Sequence, residues 1–223
     1  MQDRSNFKAL VIEHWVLFGL IGLNAAVFLV EFLLPADATT GLMCVPTQLI
    51  ASWDNLLEGN SPAADIQSLS TLLTYAFLHA DIEHLLFNLL YLWIFGYVVG
   101  ELIGQWWVLV VYVVTAIGGS ICYVVFNSDS AVPMLGASGA VLGFQGAYLG
   151  LVVRCSLPDP FVWPIARPVS PMTLGLFAAI GFFLDLTGTV NPGGSNTAFA
   201  THLGGFATGI FFASFVTLPA RPS

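Results

Sequence analysis

Basic residues are scarce in this chain: five Lys and Arg stand against 13 Asp and Glu in 223 residues. No cluster of cations is available to follow a phosphate backbone, which argues against nucleic acid as a partner. Charge of either sign is thin as well, at 8% of residues where a soluble domain carries about a quarter. Apolar residues make up 57%, so there is too little polar surface to cover a water-soluble globule, and the composition is that of an integral membrane protein. Cysteine is limited to Cys44, Cys122 and Cys155, with no CxxC; they read as ordinary apolar or exposed residues rather than a redox or zinc motif. No HExxH occurs, and His79 and His84, spaced by five, have no third ligand at zinc-site spacing, so no metal is expected. The opening MQDRSNFKALVIEHW has neither a small-residue cleavage site nor the Arg-rich, acid-poor character of a transit peptide, so the first apolar run is expected to stay as a signal anchor.

What is present is a series of uncharged apolar runs. They predict spans near 15–34, 84–103, 106–126, 138–153, 172–187 and 198–218, each near the roughly 20 residues a helix needs to cross a bilayer. Runs such as WWVLVVYVVTAIGG are apolar at every position, which excludes the alternation of a membrane barrel and leaves helices, whose backbone bonds are satisfied internally. The expected fold is therefore an all-α membrane protein, one polytopic domain over 1–223 with six helices, a core of about 15–218 and a long outer loop of about 35–83. The cations order it: Arg4 and Lys8 precede span one, Arg154 and Arg167 lie between spans four and five, and Arg221 follows span six. The intervening loops hold none, while Asp37, Asp54, Glu58, Asp65, Asp81, Glu83 and Asp129 crowd the first two. By the positive-inside rule both termini are cytoplasmic, and Trp106 and Trp107 suit an inner aromatic belt.

That orientation sets depths. Span four runs inward, so Ser138 is at its outer end; His84 and Asn88, four apart on span two, share a helix face near the same level, and His202 lies one turn into span six. From Ser138 to Val153 span four is about 24 Å long, shorter than the hydrocarbon core, which sinks the serine below the outer surface. Gly139, Gly143, Gly146 and Gly150 leave one face of span four nearly bare, and Gly205 and Gly209 repeat that spacing in span six; such faces let helices approach closely in lipid. Ser138 alone could serve that packing, and His84 and Asn88 could bond neighbouring backbone. His202 is harder to read as packing, because an imidazole inside a span faces the bundle interior or a watery cavity. On the glycine face it could reach Ser138 and take its proton, with unpaired N–H groups of the helix start, Asn88 and His84 as donors to an oxyanion. Asp185 reads as water-facing or loop-bonding rather than a third catalytic group, Glu13 and His14 as interfacial, and Glu101 as structural.

Three blocks in this order, FLHADIEHLLFNLLYLWIFG (77–96), PMLGASGAVLGFQGAYLG (133–150) and ATHLGGFATG (200–209), resemble the rhomboid intramembrane serine proteases over roughly 15–218. The resemblance implies a six-helix rhomboid bundle with Ser138 of GxSG as nucleophile and His202 as general base and acid. It implies an oxyanion site made by His84, Asn88 and the Ser138 N–H, with Gly136 in the turn before the nucleophile. Gly139, Gly205 and Gly209 then serve close helix packing, and His79 shapes the outer rim. Two departures stand out: some members carry an aromatic residue where this chain has Leu142, and the usual Trp–Arg pair of the first loop has no counterpart, since 35–83 contains no Arg. The implied activity is cleavage of single-span membrane proteins near the outer face of the lipid bilayer without a cofactor, with span five and the PGGSN after it as a side gate. A bacterial inner membrane is the expected setting. The alternatives are a catalytically inactive rhomboid-like protein that binds membrane clients and, more remotely, a small-solute transporter, for which the paired broken helices of internal repeats are missing.

Overall fold

A computed structural model describes residues 7–35, 37–60, 63–160, 169–190 and 199–218. Its helices are α1 (Phe7–Glu13), α2 (Trp15–Leu33), α3 (Pro46–Leu57), α4 (Ala63–Thr74), α5 (Ile82–Ile103), α6 (Gln105–Phe126), α7 (Ser138–Arg154), α8 (Pro171–Val190) and α9 (Phe199–Ala213). Among the described residues, α2, α5 and α6 are long and apolar enough to cross a membrane, and Pro171–Leu184 and α9 are shorter apolar helices. Arg4, Arg167 and Arg221, three of the cations behind the expected orientation, lie outside the described residues, as does PGGSN.

α7 is the axis of the bundle. Every residue from Gly139 to Tyr148 is buried, the all-round burial of a core helix rather than a surface one, and α5, α6, α8 and α9 surround it. The large apolar side chains that remain exposed, such as Phe32, Leu86, Val125 and Phe183, lie on the outer helices, where lipid rather than water is the natural solvent.

Bare backbone sets the spacing of α7 and α9. A side-chain carbon added at Gly205 would land on the Gly139 carbonyl oxygen, one at Gly209 on that of Gly143, and one at Gly146 on the backbone of Phe206. The glycine faces therefore meet. α5 and α6 reverse direction at one residue, Gly104, whose φ of +98° favours glycine. α9 stops five residues short of the expected span: the chain leaves the α-helix through Phe211–Ser214 and Phe212–Phe215 turns. Arg154 caps this end by donating to the carbonyls of Ala213 and Val216, a cation where the helix dipole is negative.

The expected outer loop contains two helices. Pro46 opens α3 at a position where its missing N–H is no loss, and Gly59, at φ +83°, follows its end; Asn55 then donates to Asp65 on α4 at 3.1 Å. These short stretches mix polar with apolar residues and are too short and polar to read as spans. His14 differs from its interfacial reading: it is 1% exposed, stacked on Tyr97 with ring centroids 4.2 Å apart, hydrogen-bonded to Gln105 at 3.0 Å and 3.3 Å from Glu101. Burying an imidazole requires partners, and Gln105 and Glu101 lie where α5 turns into α6. Glu101 is thus structural, as read.

Candidate active site

The turn at 75–77 and the segment before α7 fix the ends of the helices that carry the polar groups. Tyr75 donates its hydroxyl to the Ala116 carbonyl at 2.8 Å, and Tyr112 donates to the Ala76 carbonyl at 2.7 Å, bolting the turn to α6. The Gly136 N–H donates to the Tyr75 carbonyl at 3.0 Å, and Cys44 and Met134 exchange backbone hydrogen bonds at 3.0 and 2.8 Å. Asp81 then caps α5, its carboxylate accepting from the His84 N–H at 2.7 Å. This sets His84 in the first turn of α5 and Asn88 one turn deeper.

On α7, Ser138 is the first helical residue and Ala137 before it supplies no side-chain cap. The first N–H to find an intrahelical carbonyl is that of Val141, which donates to Ala137; the earlier N–H groups are the orphan donors of a helix start. On α9, His202 presents Nε2 to Ser138 Oγ at 2.6 Å, within the range of a strong O–H and imidazole hydrogen bond. Both side chains sit at the meeting of the glycine faces, so close helix packing and the Ser–His contact are one arrangement.

Gly136 shapes the other side of the serine. Its φ is +127°, and a side-chain carbon there would stand 2.7 Å from His84 Cε1, 2.9 Å from Nε2 and 3.8 Å from Ser138 Oγ. Only glycine takes that conformation without strain and leaves room for the ring. Asn88 is 6% exposed, and its Nδ2 has no hydrogen-bond partner among the described residues. A buried amide donor left unpaired costs about 1–3 kcal/mol, an expense that suits a site whose acceptor arrives with substrate.

His79 packs edge-on to His84, ring centroids 5.3 Å apart, and its backbone N–H donates to Glu31 at 3.0 Å. Burial, reinforced by repulsion from the neighbouring His84, pushes its pKa down to about 4, so it stands there as a neutral ring. Among the described residues no three His, Cys, Asp or Glu side chains are grouped as metal ligands would be. The side chain of Asp185 lies outside what is described.

The aromatic neighbour of His202 was not anticipated. Phe199, on the same helix three residues earlier, meets the imidazole edge-on with centroids 6.1 Å apart and an interplanar angle of 87°. The i, i+3 spacing was its sequence signal. Thr201, missed as well, donates to Met134 Sδ at 2.6 Å and joins α9 to the segment leading into Ser138. Taken together, the arrangement offers a hydroxyl hydrogen-bonded to an imidazole, unpaired N–H groups of the helix start and His84 beside the adjoining turn, groups of the kind acyl transfer uses.

Comparison with known proteins gives the family. The Rhomboid domain family matches residues 67–219. A relative in Arabidopsis thaliana, RHOMBOID-like protein 12, mitochondrial, is 29% identical over 92% of this chain and 62% of its own length. Rhomboid protease GluP of Bacillus subtilis is 34% identical over 66% of this chain and 26% of its length, so the chain spans less than two thirds of either relative. Putative rhomboid protease YdcA of the same bacterium is 30% identical over 86% of this chain and 89% of its length.

Proposed function

The chain belongs to the rhomboid family, and on that premise we propose that it is a serine endopeptidase cutting single-span membrane proteins within the bilayer near its outer face. The observation that carries this reading is the 2.6 Å contact between His202 Nε2 and Ser138 Oγ. The protein then sits in the membrane as six spans with both termini cytoplasmic, α7 and the shorter α8 and α9 completing the set begun by α2, α5 and α6. A bacterial inner (cell) membrane is the proposed setting, in keeping with a Bacillus subtilis relative matched over 86% of this chain and 89% of its own length; the Arabidopsis relative that matches 92% of this chain is mitochondrial.

A substrate segment comes from the lipid beside α8, which packs on α7 and α9 and meets α5 through Phe177, stacked 5.8 Å from Tyr91 and 6.4 Å from Phe95. His202 takes the Ser138 proton as Oγ attacks the scissile carbonyl carbon. The charge that develops on the carbonyl oxygen is met by the Ser138 N–H, the Asn88 amide and His84, donors worth most where water is excluded. Collapse breaks the C–N bond, and the leaving amine takes the proton from His202. A water molecule, deprotonated by the same imidazole, then releases the acid and restores the serine. No cofactor takes part in these steps.

Covalent labelling tests the dyad directly. A fluorophosphonate is expected to modify the purified chain at Ser138, as located by peptide mass spectrometry, and to fail with His202→Ala; modification elsewhere, or equal labelling without the imidazole, would sink the assignment.

A further inference from the structure

Two turns below the serine, α7 carries a polar group for which the chemistry above has no use. Gln145 lies seven residues after Ser138, on the face that passes through Leu142, about 10 Å deeper at 1.5 Å per residue. It is 5% exposed, and its Oε1 has no hydrogen-bond partner among the described residues. The amide is aimed at α8: a side-chain carbon added at Gly181 would meet Gln145 Oε1 at 3.1 Å and no other heavy atom within 4 Å. Helix α8 cannot satisfy it there, because Gly181 has no side chain and its N–H is engaged within the helix. The neighbouring contacts are ordinary: a side-chain carbon added at Gly175 would stand 3.5 Å from Leu149 and Val152, and Phe182 is stacked on Phe206 at 4.4 Å. The Gln145 carbonyl is thus an unpaired acceptor in a seam whose polar contacts include the Tyr148 hydroxyl, which donates to the Pro171 carbonyl at the start of α8 at 3.4 Å.

Resting on the protease reading, we propose that Gln145 is a specificity-determining residue: its side-chain carbonyl accepts a hydrogen bond from a Ser, Thr or Asn side chain in the substrate's transmembrane segment, on the membrane side of the cut. A segment that displaces α8 from α7 meets this carbonyl as its next polar contact below Ser138. Helical backbone in that segment has no free N–H, and extended backbone offers the same N–H whatever the sequence, so the donor that tells one substrate from another is a side chain. The depth of about 10 Å corresponds to about three residues of extended chain or seven of helix, which puts the donor between the third and seventh residue after the cut. An unmatched buried acceptor penalises wholly apolar segments, and selectivity from pairing buried polar groups exceeds what shape alone provides.

The test is a substrate series with a Leu/Ala transmembrane segment carrying one Ser or Asn at each of these positions, compared with the all-apolar parent. The series is cleaved by the full chain and by Gln145→Leu in liposomes. At one position the donor is expected to raise kcat/KM about five- to thirtyfold with the native chain, and the ratio of polar to apolar substrate should fall to about one with Gln145→Leu. Gln145→Met, of similar length and without the amide, gives the same reading if the Leu variant does not fold. The ratio, rather than the rate, is the readout, since a merely structural glutamine would slow every substrate alike. An unchanged ratio in the variants, or cleavage by the native chain with no preference at any position, overturns the inference and leaves the protease reading standing; absence of all cleavage removes both.

Discussion

At the scale of single residues, the proposed chemistry separates groups that react from groups that wait. Ser138→Ala and His202→Ala are each expected to lower cleavage by at least about a thousandfold. Asn88→Ala should lower kcat about a hundredfold, as loss of one oxyanion donor does, without lowering thermal stability, because Nδ2 has no partner among the described residues to lose. A structural asparagine would show the opposite pattern in the same pair of assays. His79 gives a pH signature. Its pKa is pushed down to about 4 in the folded protein, against about 6.5 in the unfolded chain. Between these values the unfolded state binds more protons, so stability falls as pH drops through the window and is unaffected by this group above it. Melting temperatures measured in detergent at steps from pH 7.5 to pH 4 should decline, and His79→Phe should flatten part of that decline. The meeting of Ser138 with His202, and of His84 with the turn at Gly136, could be read from sequence because polar side chains in a span are costly unless they face a partner or a cavity. The roles of Phe199 and Gln145 were harder to see: the i, i+3 spacing of Phe199 and His202 is common in an aromatic-rich apolar helix, and whether a glutamine is partnered depends on the helix opposite.

Among helices, glycine decides how near α7 and α9 come, and hence whether Nε2 reaches Oγ. Gly205→Ala places a carbon against the Gly139 carbonyl, with backbone rather than a flexible side chain in the way. The helices must part, at about 1–3 kcal/mol for overpacking, and activity should fall more steeply than stability as the 2.6 Å contact opens. Gly22, exposed on α2 with nothing within 4 Å of an added carbon, is the control: Gly22→Ala should stabilise by about 0.5–1 kcal/mol through helix propensity and leave cleavage unchanged. Thermal unfolding and a cleavage assay on both variants check this. The glycine faces were visible in the sequence because their 4-3-4 spacing follows the helix repeat. The end of α9 was not, because hydropathy continues through 214–218 while Arg154, from another helix, takes the last carbonyls. Helices α3 and α4 escaped for a related reason: their amphipathic faces are organised by Cys44–Met134 pairing and the Asn55–Asp65 bond, which join residues far apart or outside any span.

For the molecule as a whole, a bundle built around α7 places Ser138 at one end of a core helix, with His202 of α9 at 2.6 Å and His84 of α5 beside the preceding Gly136 turn. The proposed orientation makes α3 and α4 external and Lys8 cytoplasmic. In a chain with its three cysteines replaced by alanine, Asp54→Cys should react with a membrane-impermeant maleimide in intact cells, and Lys8→Cys only after permeabilisation. The most direct measurement of the account is cleavage itself. The purified chain is incubated in liposomes with a single-span substrate, and the products are identified by mass spectrometry. A cut near the outer end of the transmembrane segment by the native chain, absent with Ser138→Ala and with His202→Ala, is the predicted result. Cleavage that survives either substitution, or no cleavage by the native chain across a panel of such substrates, would contradict it.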